Sequence, residues 1–285
     1  MSLINKFGNK GEAPKQFKPL IGSKPILLYF YPDQIQVNSF DKLSYFTLDG
    51  NFIKEKKITS FFQYPVSYII PFKNKFIVHE LKGESRNKFW RQLSIYNSNL
   101  EKEKEILRID IDKNEPYKLL DKTISIKIYE DSLFIISSRY FVIDVFDLDG
   151  KKKYSITRNY KNIKLTPENK EEIIKNFGIN PSNKNIFPLV KDKLKCPDTF
   201  PVISELYIVD GIIYVLTYNR KDINSEFYVM DLNGNNEKRI WAPVRRDSPT
   251  GSLALYTINQ GKSYQLVEET EREEWILFIE SILNK

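Results

Sequence analysis

Apolar and polar residues alternate along most of the chain in short segments, which is the pattern of half-buried β-strands. One arrangement recurs: an alternating apolar strand, a tight turn and then a charged strand. Its four copies are LSYFTLDGNFIKEKKI (43–58), LSIYNSNLEKEKEIL (93–107), VIDVFDLDGKKKYSIT (142–157) and FYVMDLNGNNEKRIW (227–241). The turn pairs Asp49-Gly50, Asp149-Gly150 and Asn233-Gly234 predict two-residue type I′ hairpins, because Asp, Asn and Gly accept positive φ.

Two further apolar strands precede each copy, as in ISELYIV (203–209) followed by DGIIYVLT (210–217). Each unit therefore has four strands, and such a unit cannot bury both its faces alone, so we expect stacked blades of a β-propeller. Five units are visible, and a sixth is expected within 158–200. The last unit lacks a fourth strand, which SLINKFG (2–8) would supply. The sequence thus predicts a single all-β domain over 1–285, with six blades of four-stranded antiparallel sheets closed by an N-terminal strand.

The segment 158–200 departs from the strand pattern and reads as a helix-containing insertion or a degenerate blade. Thr166 is a good N-cap, Pro167 suits the first helical turn and Gly178 predicts the end of the helix, which gives a helix near 166–177. The Pro-rich and Asn-rich remainder predicts an ordered loop. A long loop within a compact domain is often functional.

Composition narrows the classes of function. Aromatic residues make up 14% of the chain, which favours strands. The net charge of +7 comes from dispersed lysines without an arginine-rich segment, which argues against nucleic-acid binding. Cys196 and His79 are the only residues of their types, which excludes an intrachain disulfide and a Cys/His metal cluster. Apolar stretches are too short for a transmembrane helix, and MSLINKFGNK has no signal core, so we expect a cytoplasmic protein unless a leader was removed.

The segment FGNKGEAPKQF (7–17) resembles the glycine-rich stretch before the first blade of NHL-like and TolB-like six-bladed β-propellers. Gly8, Gly11, Pro14 and Phe17 match that pattern, whereas Ala13 and Lys15 depart from it. The FDLDGK hairpin, the LTPENKEEI helix and the closing EETEREEWILFIESI are also similar to that group. The resemblance implies a six-bladed fold and an exported protein of the periplasm or cell surface.

The first functional hypothesis is a non-catalytic scaffold that holds a protein partner or an acidic small ligand on one loop face. Arginine binds carboxylate and phosphate through a planar fork, and tyrosines beside it add contact area. Loops between second and third strands, together with the blade linkers, carry such residues. The predicted ligand-binding residues are Arg139, Tyr140, Tyr218, Arg220, Arg86 and Arg246.

Two alternatives stay open. A metal-dependent hydrolase or lactonase would hold a divalent cation in the central channel, using oxygen ligands. Its candidate ligands are Asn38, Glu80, Glu205 and Glu268, and a hydrolytic triad would need His79. An envelope assembly module would instead use the insertion, whose apolar residues are Ile173, Phe177, Ile186 and Phe187. No spacing of these residues specifies a cofactor, so none is assigned.

Overall fold

A computed structural model describes most of the chain, which divides into two compact units, Met1–Glu115 and Pro116–Lys285. The described residues are 9–11, 15–17, 27–39, 42–58, 68–85, 88–111, 117–120, 125–137, 139–180, 183–245, 256–269 and 274–282. Each unit is built mainly from antiparallel sheets of consecutive strands, which we name blades 1 to 5 in chain order.

The first unit contains a short parallel pair and blades 1 and 2. The pair is β1 (Asn9–Lys10) and β2 (Gln16–Phe17). Blade 1 is β3 (Leu27–Phe30), β4 (Gln34–Asn38), β5 (Lys42–Thr47) and β6 (Phe52–Lys57). Blade 2 is β7 (Tyr68–Phe72), β8 (Lys75–Ser85), β9 (Lys88–Tyr96) and β10 (Lys102–Ile111).

The second unit contains blades 3, 4 and 5 and the insertion. Blade 3 follows β11 (Tyr117–Lys118) and is β12 (Ser125–Tyr129), β13 (Ser132–Ser137), β14 (Phe141–Phe146) and β15 (Lys152–Arg158). The insertion is α1 (Pro167–Ile179), α2 (Phe187–Val190), a 3₁₀ turn (Lys191–Lys193) and β16 (Leu194–Lys195). Blade 4 is β17 (Ile203–Val209), β18 (Ile212–Lys221), β19 (Asn224–Asp231) and β20 (Lys238–Pro243), and blade 5 is β21 (Tyr256–Asn259), β22 (Lys262–Glu269) and β23 (Glu274–Ser281).

The chain is an all-β propeller, as predicted, but the residues that the structure describes form five blades, so the prediction of six is wrong. The described residues after β15 in segment 158–200 do not form a four-stranded blade, because their apolar side chains pack around helix α1. Strand β16 forms a two-stranded parallel sheet with β11. Blade 5 has three strands among the described residues. The closing strand expected from 2–8 lies outside the described residues, and the single domain over 1–285 stays a prediction.

Apolar side chains on neighbouring blades form continuous cores. In β18, Ile213 and Val215 pack in the core shared by blades 3 and 4, whereas Tyr214 and Leu216 pack in the core shared by blades 4 and 5. Successive side chains of a strand point to opposite faces, so this strand is buried on both sides. In the first unit, Leu43 and Val78 belong to the core between blades 1 and 2.

A buried carboxylate ties the linker after blade 3 to blade 4. Glu226 of β19 has no exposed surface, and it accepts hydrogen bonds from the hydroxyls of Tyr160 and Thr217, each at 3.0 Å. Arg239 of β20 donates two further bonds to the other carboxylate oxygen, with its Nε at 2.8 Å. Burial raises the pKa of Tyr160, which keeps this phenol protonated as a donor. A buried charge is tolerated because every side of the carboxylate has a donor.

The turns between third and fourth strands are not the predicted type I′ hairpins. In blade 3 the amide of Gly150 donates to Asp147 O at 3.0 Å, and of the turn residues only Gly150 has positive φ, at 66°. That is a three-residue loop with a bulge, which Asp147 Oδ1 reinforces by accepting from the amides of Asp149 and Lys151. In blade 2 Leu100 takes the same left-handed position, with φ of 64°. Two consecutive residues with positive φ, as a type I′ turn requires, occur instead in the turns between the first and second strands of blades 4 and 5, at Asp210-Gly211 and Gln260-Gly261.

Helix α1 begins at the predicted cap, Thr166, and ends at Ile179, two residues after the predicted end. Thr166 caps α1 and exchanges side-chain bonds with Asn169 in a capping box. Gly178 does not end the helix, which continues to Ile179. A Cβ on Gly178 would lie 2.8 Å from the ring of Phe187, so this glycine allows the close approach of α2.

Two turn glycines give a matched test of blade packing. Gly211 and Gly234 have φ of +73° and +81°, but a Cβ on Gly211 would meet nothing within 4 Å, whereas one on Gly234 would lie 2.8 Å from Ile156 Cγ2. Alanine in the left-handed region costs roughly 1–2 kcal/mol at either site. We expect Gly234→Ala to lower the free energy of unfolding by about 1–3 kcal/mol more than Gly211→Ala, as overpacking does. Equal losses in urea denaturation would contradict the packing of blade 3 against this turn.

Candidate functional site

A cavity of about 520 Å³ lies beside the insertion in the second unit. Its wall comes from the β13–β14 turn, the residues after β11, the linker after blade 3 and the segment from β16 to blade 4. The lining residues that matter chemically are Arg139, Tyr140, Asn162, Lys195, Cys196 and Thr199. We call this space the insertion cavity. Its volume falls in the range of small-molecule sites, roughly 300–1,000 Å³.

The insertion cavity has a positive electrostatic character. Arg139 and Lys195 both line it, and neither side chain forms an ion pair or a hydrogen bond with the described part of the chain. No acidic residue is found among the described lining residues. Asp198 is adjacent in sequence, but it is 99% exposed and paired with Lys170 at 3.0 Å. The two cations are therefore not neutralised by a carboxylate of the wall.

Part of the wall of the insertion cavity is apolar. Phe200 lines the insertion cavity and is buried, and the ring of Tyr218 stacks on it with centroids 5.0 Å apart and an interplanar angle of 20°. Leu119, also buried, contributes to the same wall. Tyr140 is 62% exposed and stands at the rim. A ligand here would meet both apolar side chains and two cations.

The structure brings together only part of the predicted ligand-binding set. Arg139 and Tyr140 line the insertion cavity, and Tyr218 supports it from behind Phe200. Arg220 near the end of β18 is not in the lining, and its Nη2 donates to Asp222 O at 3.4 Å. Arg86 and Arg246 lie outside the described residues. An arginine ring therefore stays a prediction.

Sequence reasoning missed Lys195, Asn162 and Phe200 as lining residues. Each comes from the insertion or its flanks, and the only signal for them was the long irregular segment 158–200. The stretches predicted as loops between second and third strands are shorter than expected, because β8 and β9 extend through most of 82–91 and β18 and β19 through most of 219–225.

The residues proposed for a metal site are engaged in other contacts or lie apart. Asn38 Nδ2 donates to Ile69 O at 2.6 Å. Glu80 is buried, with one oxygen accepting from Gln92 and Tyr96 at 2.9 Å each and the other 2.9 Å from Lys82 Nζ. Burial and the nearby Glu80 charge raise the pKa of Tyr96, so the phenol stays a donor.

The remaining metal candidates belong to the second unit. Glu205 pairs with Lys127 at 3.2 Å, and Glu268 is exposed on β22. No group of three or more His, Cys, Asp or Glu able to hold a metal occurs among the residues that the structure describes.

His79, the residue that a hydrolytic triad would need, belongs to the first unit. It lies in the middle of β8, opposite Tyr68 and Leu93. Within the described part of the chain, α1 and the other helices are too short or too polar to cross a bilayer.

The reactivity of the Cys196 thiol can be used to probe the insertion cavity, because this residue lines it. The thiol is half-buried in its wall, with Sγ 3.6 Å from Lys170 O. Burial raises the pKa of this thiol, and the nearby Lys170 charge opposes the shift only in part. The thiolate is the reactive form, so burial slows its chemistry.

We expect Cys196 to react more slowly with iodoacetamide at pH 8 than an exposed thiol does, with its rate rising at a higher pH. A suitable control is the Cys196→Ser, Lys184→Cys double variant, because Lys184 is exposed on the same insertion. The alkylation rate as a function of pH measures the difference. Equal rates and equal pH midpoints for the two proteins would show that Cys196 is not in a cavity wall.

No family model and no curated protein sequence matches the chain. Among solved structures, a Bacteroides fragilis protein described as exported aligns over 99% of this chain and 82% of its own, with 11% identity and a TM-score of 0.53. The WD40 domain of Neurospora crassa Pan2 covers 85% of this chain and 61% of its own, with 12% identity and a TM-score of 0.35. PorZ, a surface component of the type-IX secretion system of Porphyromonas gingivalis, covers 88% and 27%, with 11% identity and a TM-score of 0.39. At these identities the likeness concerns the fold alone, and the fold that this chain shares with the first of them is a β-propeller.

Proposed function

We propose that this propeller is a non-catalytic binding scaffold whose site is the insertion cavity, and that its ligand is a small acid with an apolar body. The observation that carries the proposal is the pair of cations, Arg139 and Lys195, which share one apolar-walled cavity without an acidic lining residue. Both side chains are exposed, so they can attract an anion from solvent, and neither has to give up an ion pair with the described part of the chain to do so.

A carboxylate suits this wall best. Arg139 provides a planar fork that matches the two oxygens of a carboxylate, and Lys195 adds a single-point donor. Phe200, which stacks on Tyr218, adds an apolar contact for an aromatic or cyclic body, as do Leu119 and Leu120. The exposed ring of Tyr140 stands where it could cover the bound ligand.

Binding without turnover is supported by the groups that line the insertion cavity. Among its described lining residues, Cys196 is the only strong nucleophile, and burial raises its pKa rather than activating it. Histidine is the commonest general acid or base near neutral pH, and the described lining contains neither a histidine nor a carboxylate. An exported location, which the family resemblance implies, stays a prediction.

The proposal is tested with 2-naphthoate, an aromatic carboxylate, and with 2-naphthol as its uncharged counterpart. We expect the double variant Arg139→Gln, Lys195→Gln to bind 2-naphthoate at least about 10-fold more weakly than the unaltered chain, because two charge-assisted bonds are lost. Calorimetric titration measures the affinity. Binding of 2-naphthol, which carries no carboxylate, should be weak and unchanged.

The matched control for this titration is Lys193→Gln. Lys193 is exposed in the adjacent 3₁₀ turn but does not line the insertion cavity, so the change removes one positive charge from a neighbouring position, where the double variant removes two. Its affinity for 2-naphthoate should match that of the unaltered chain. The proposal fails if the double variant binds as tightly as the unaltered chain, or if Lys193→Gln loses as much.

A second candidate function, docking of a protein partner on the insertion, is favoured by one observation. Ile179, Ile186 and Leu189 are 68%, 41% and 77% exposed, around the contact between Phe177 and Phe187. Ile173, which the sequence placed in this surface, is instead buried in the core of the insertion. Exposed apolar clusters of this kind mark interaction surfaces.

We expect Leu189→Asp to abolish capture of a specific partner in a pull-down from the source cells, because the aspartate cannot be desolvated in an apolar contact. Lys193→Asp, which alters a nearby exposed position, should leave capture intact. The same protein recovered equally with both variants would exclude this surface as the docking site.

A further inference from the structure

A second cavity, of about 420 Å³, lies between blades 1 and 2 in the first unit. Strand β6, the β7–β8 turn and the β9–β10 turn all contribute to its wall. The lining residues used below are Lys54, Lys56, Lys73, Glu55, Tyr45 and Ser98. We call this space the lysine cavity. It has no lining residue in common with the insertion cavity.

Three lysines line the lysine cavity. Glu55 is the one carboxylate among its described lining residues, and it forms an ion pair with a lysine that does not line the cavity. Glu55 Oε2 lies 3.1 Å from the ammonium of Lys42, whose side chain is only 3% exposed. That buried lysine is not part of the lining. Lys42 therefore neutralises the charge of Glu55, and the three lining lysines leave the wall of the lysine cavity with a net positive charge.

Two of the lysines are held by neutral partners. Lys56 Nζ donates to the backbone carbonyl of Ser98, on the turn after β9. Lys54 Nζ lies 5.1 Å from the centre of the Tyr45 ring, a cation–π contact. These contacts fix where the ammonium groups lie but do not cancel their charge. Each ammonium keeps further N–H donors for a ligand.

The lysines also disfavour one another's charge. Burial is the main cause that lowers the pKa of Lys56, the neighbouring charge of Lys54 lowers it further, and Glu101 opposes the shift. Lys56 is half-buried, whereas Lys54 and Lys73 are exposed. Like charges that line one cavity are stabilised when an anion binds between them. Lys73, in the β7–β8 turn of blade 2, adds a third ammonium group to the wall, whereas Lys54 and Lys56 come from blade 1.

We propose that the lysine cavity is a second ligand site, which binds a small polyanion that carries phosphate groups. Ammonium groups act as point charges with several donors and suit the spread charge of phosphate oxygens, whereas the guanidinium and apolar wall of the insertion cavity suit a carboxylate. Side chains from both blades line the space, so a polyanion would link blade 1 to blade 2. The site is independent of the proposed function of the insertion cavity.

The test is a calorimetric titration of the full chain with tripolyphosphate at about 20 mM and about 150 mM salt. We expect saturable binding whose affinity falls as salt increases, because the interaction is between charges. The Lys54→Gln, Lys56→Gln double variant should bind at least about 10-fold more weakly. Lys56→Arg, which keeps the charge, should stay within about 3-fold of the unaltered chain.

The matched control is Lys57→Gln, which removes an exposed lysine of the same strand that is not in the lining. Tripolyphosphate should bind this variant as it binds the unaltered chain. Should the double variant fail to fold, Lys73→Gln at the exposed β7–β8 turn takes its place, with a smaller expected loss of about 3-fold or more, because it removes one charge instead of two.

Either of two results would overturn the proposal: no saturable binding of tripolyphosphate at millimolar concentration, or a loss in Lys57→Gln as large as in the cavity variants, which would indicate attraction to surface charge in general. Titration of the same variants with 2-naphthoate separates the two sites. Lysine-cavity variants should leave 2-naphthoate affinity unchanged, whatever the outcome with tripolyphosphate.

Discussion

A sheet that is apolar on both faces has to be covered on both faces, and this constraint governs the structure. Strand β18 shows it most directly, because Ile213 and Val215 pack in the core shared with blade 3 while Tyr214 and Leu216 pack in the core shared with blade 5. Burying one such side chain contributes about 1.5–3 kcal/mol, so an uncovered face would cost more than a small domain can offset. Stacked blades satisfy the constraint, and the residues that do not belong to blades are left to form sites.

Both candidate sites use side chains that the stacking fixes in place. In the second unit, helix α1 brings its own apolar core, and the chain from β16 to blade 4 returns past the β13–β14 turn. Arg139 and Lys195 thereby line one wall, although they are far apart in sequence. In the first unit, the packing of blade 1 on blade 2 brings Lys56 to the carbonyl of Ser98. The fold thus positions Arg139, Lys195 and Lys56. The described lining of the insertion cavity has no carboxylate, and the partner of Lys56 is a neutral carbonyl, so these charges can attract a ligand.

Local patterns predicted the local structure and failed where distant segments meet. Alternation and turn residues located the strands, and Thr166 marked the start of α1, because those signals act within a few residues. The bulged turns were missed because Asp-Gly fits two turn types, and the choice between them is decided by the strand register and the side chain of Asp147. Blade number was wrong because segment 158–200 contains enough residues for a sheet but buries its apolar residues against a helix. Arg139 was predicted from its loop, whereas Lys195 looks like any other dispersed lysine until the fold brings it to the same wall.

The central claim, that the insertion cavity binds an acidic ligand, is tested most directly with the protein's single thiol and no substitution at all. Cys196 lies in the wall of the insertion cavity, so a ligand bound there shields it from iodoacetamide. The measurement is the alkylation rate at increasing 2-naphthoate concentration, compared with the affinity from calorimetry. We predict that the rate falls with the same half-saturation concentration as binding. A rate that stays constant while 2-naphthoate binds would place the ligand elsewhere and contradict the account.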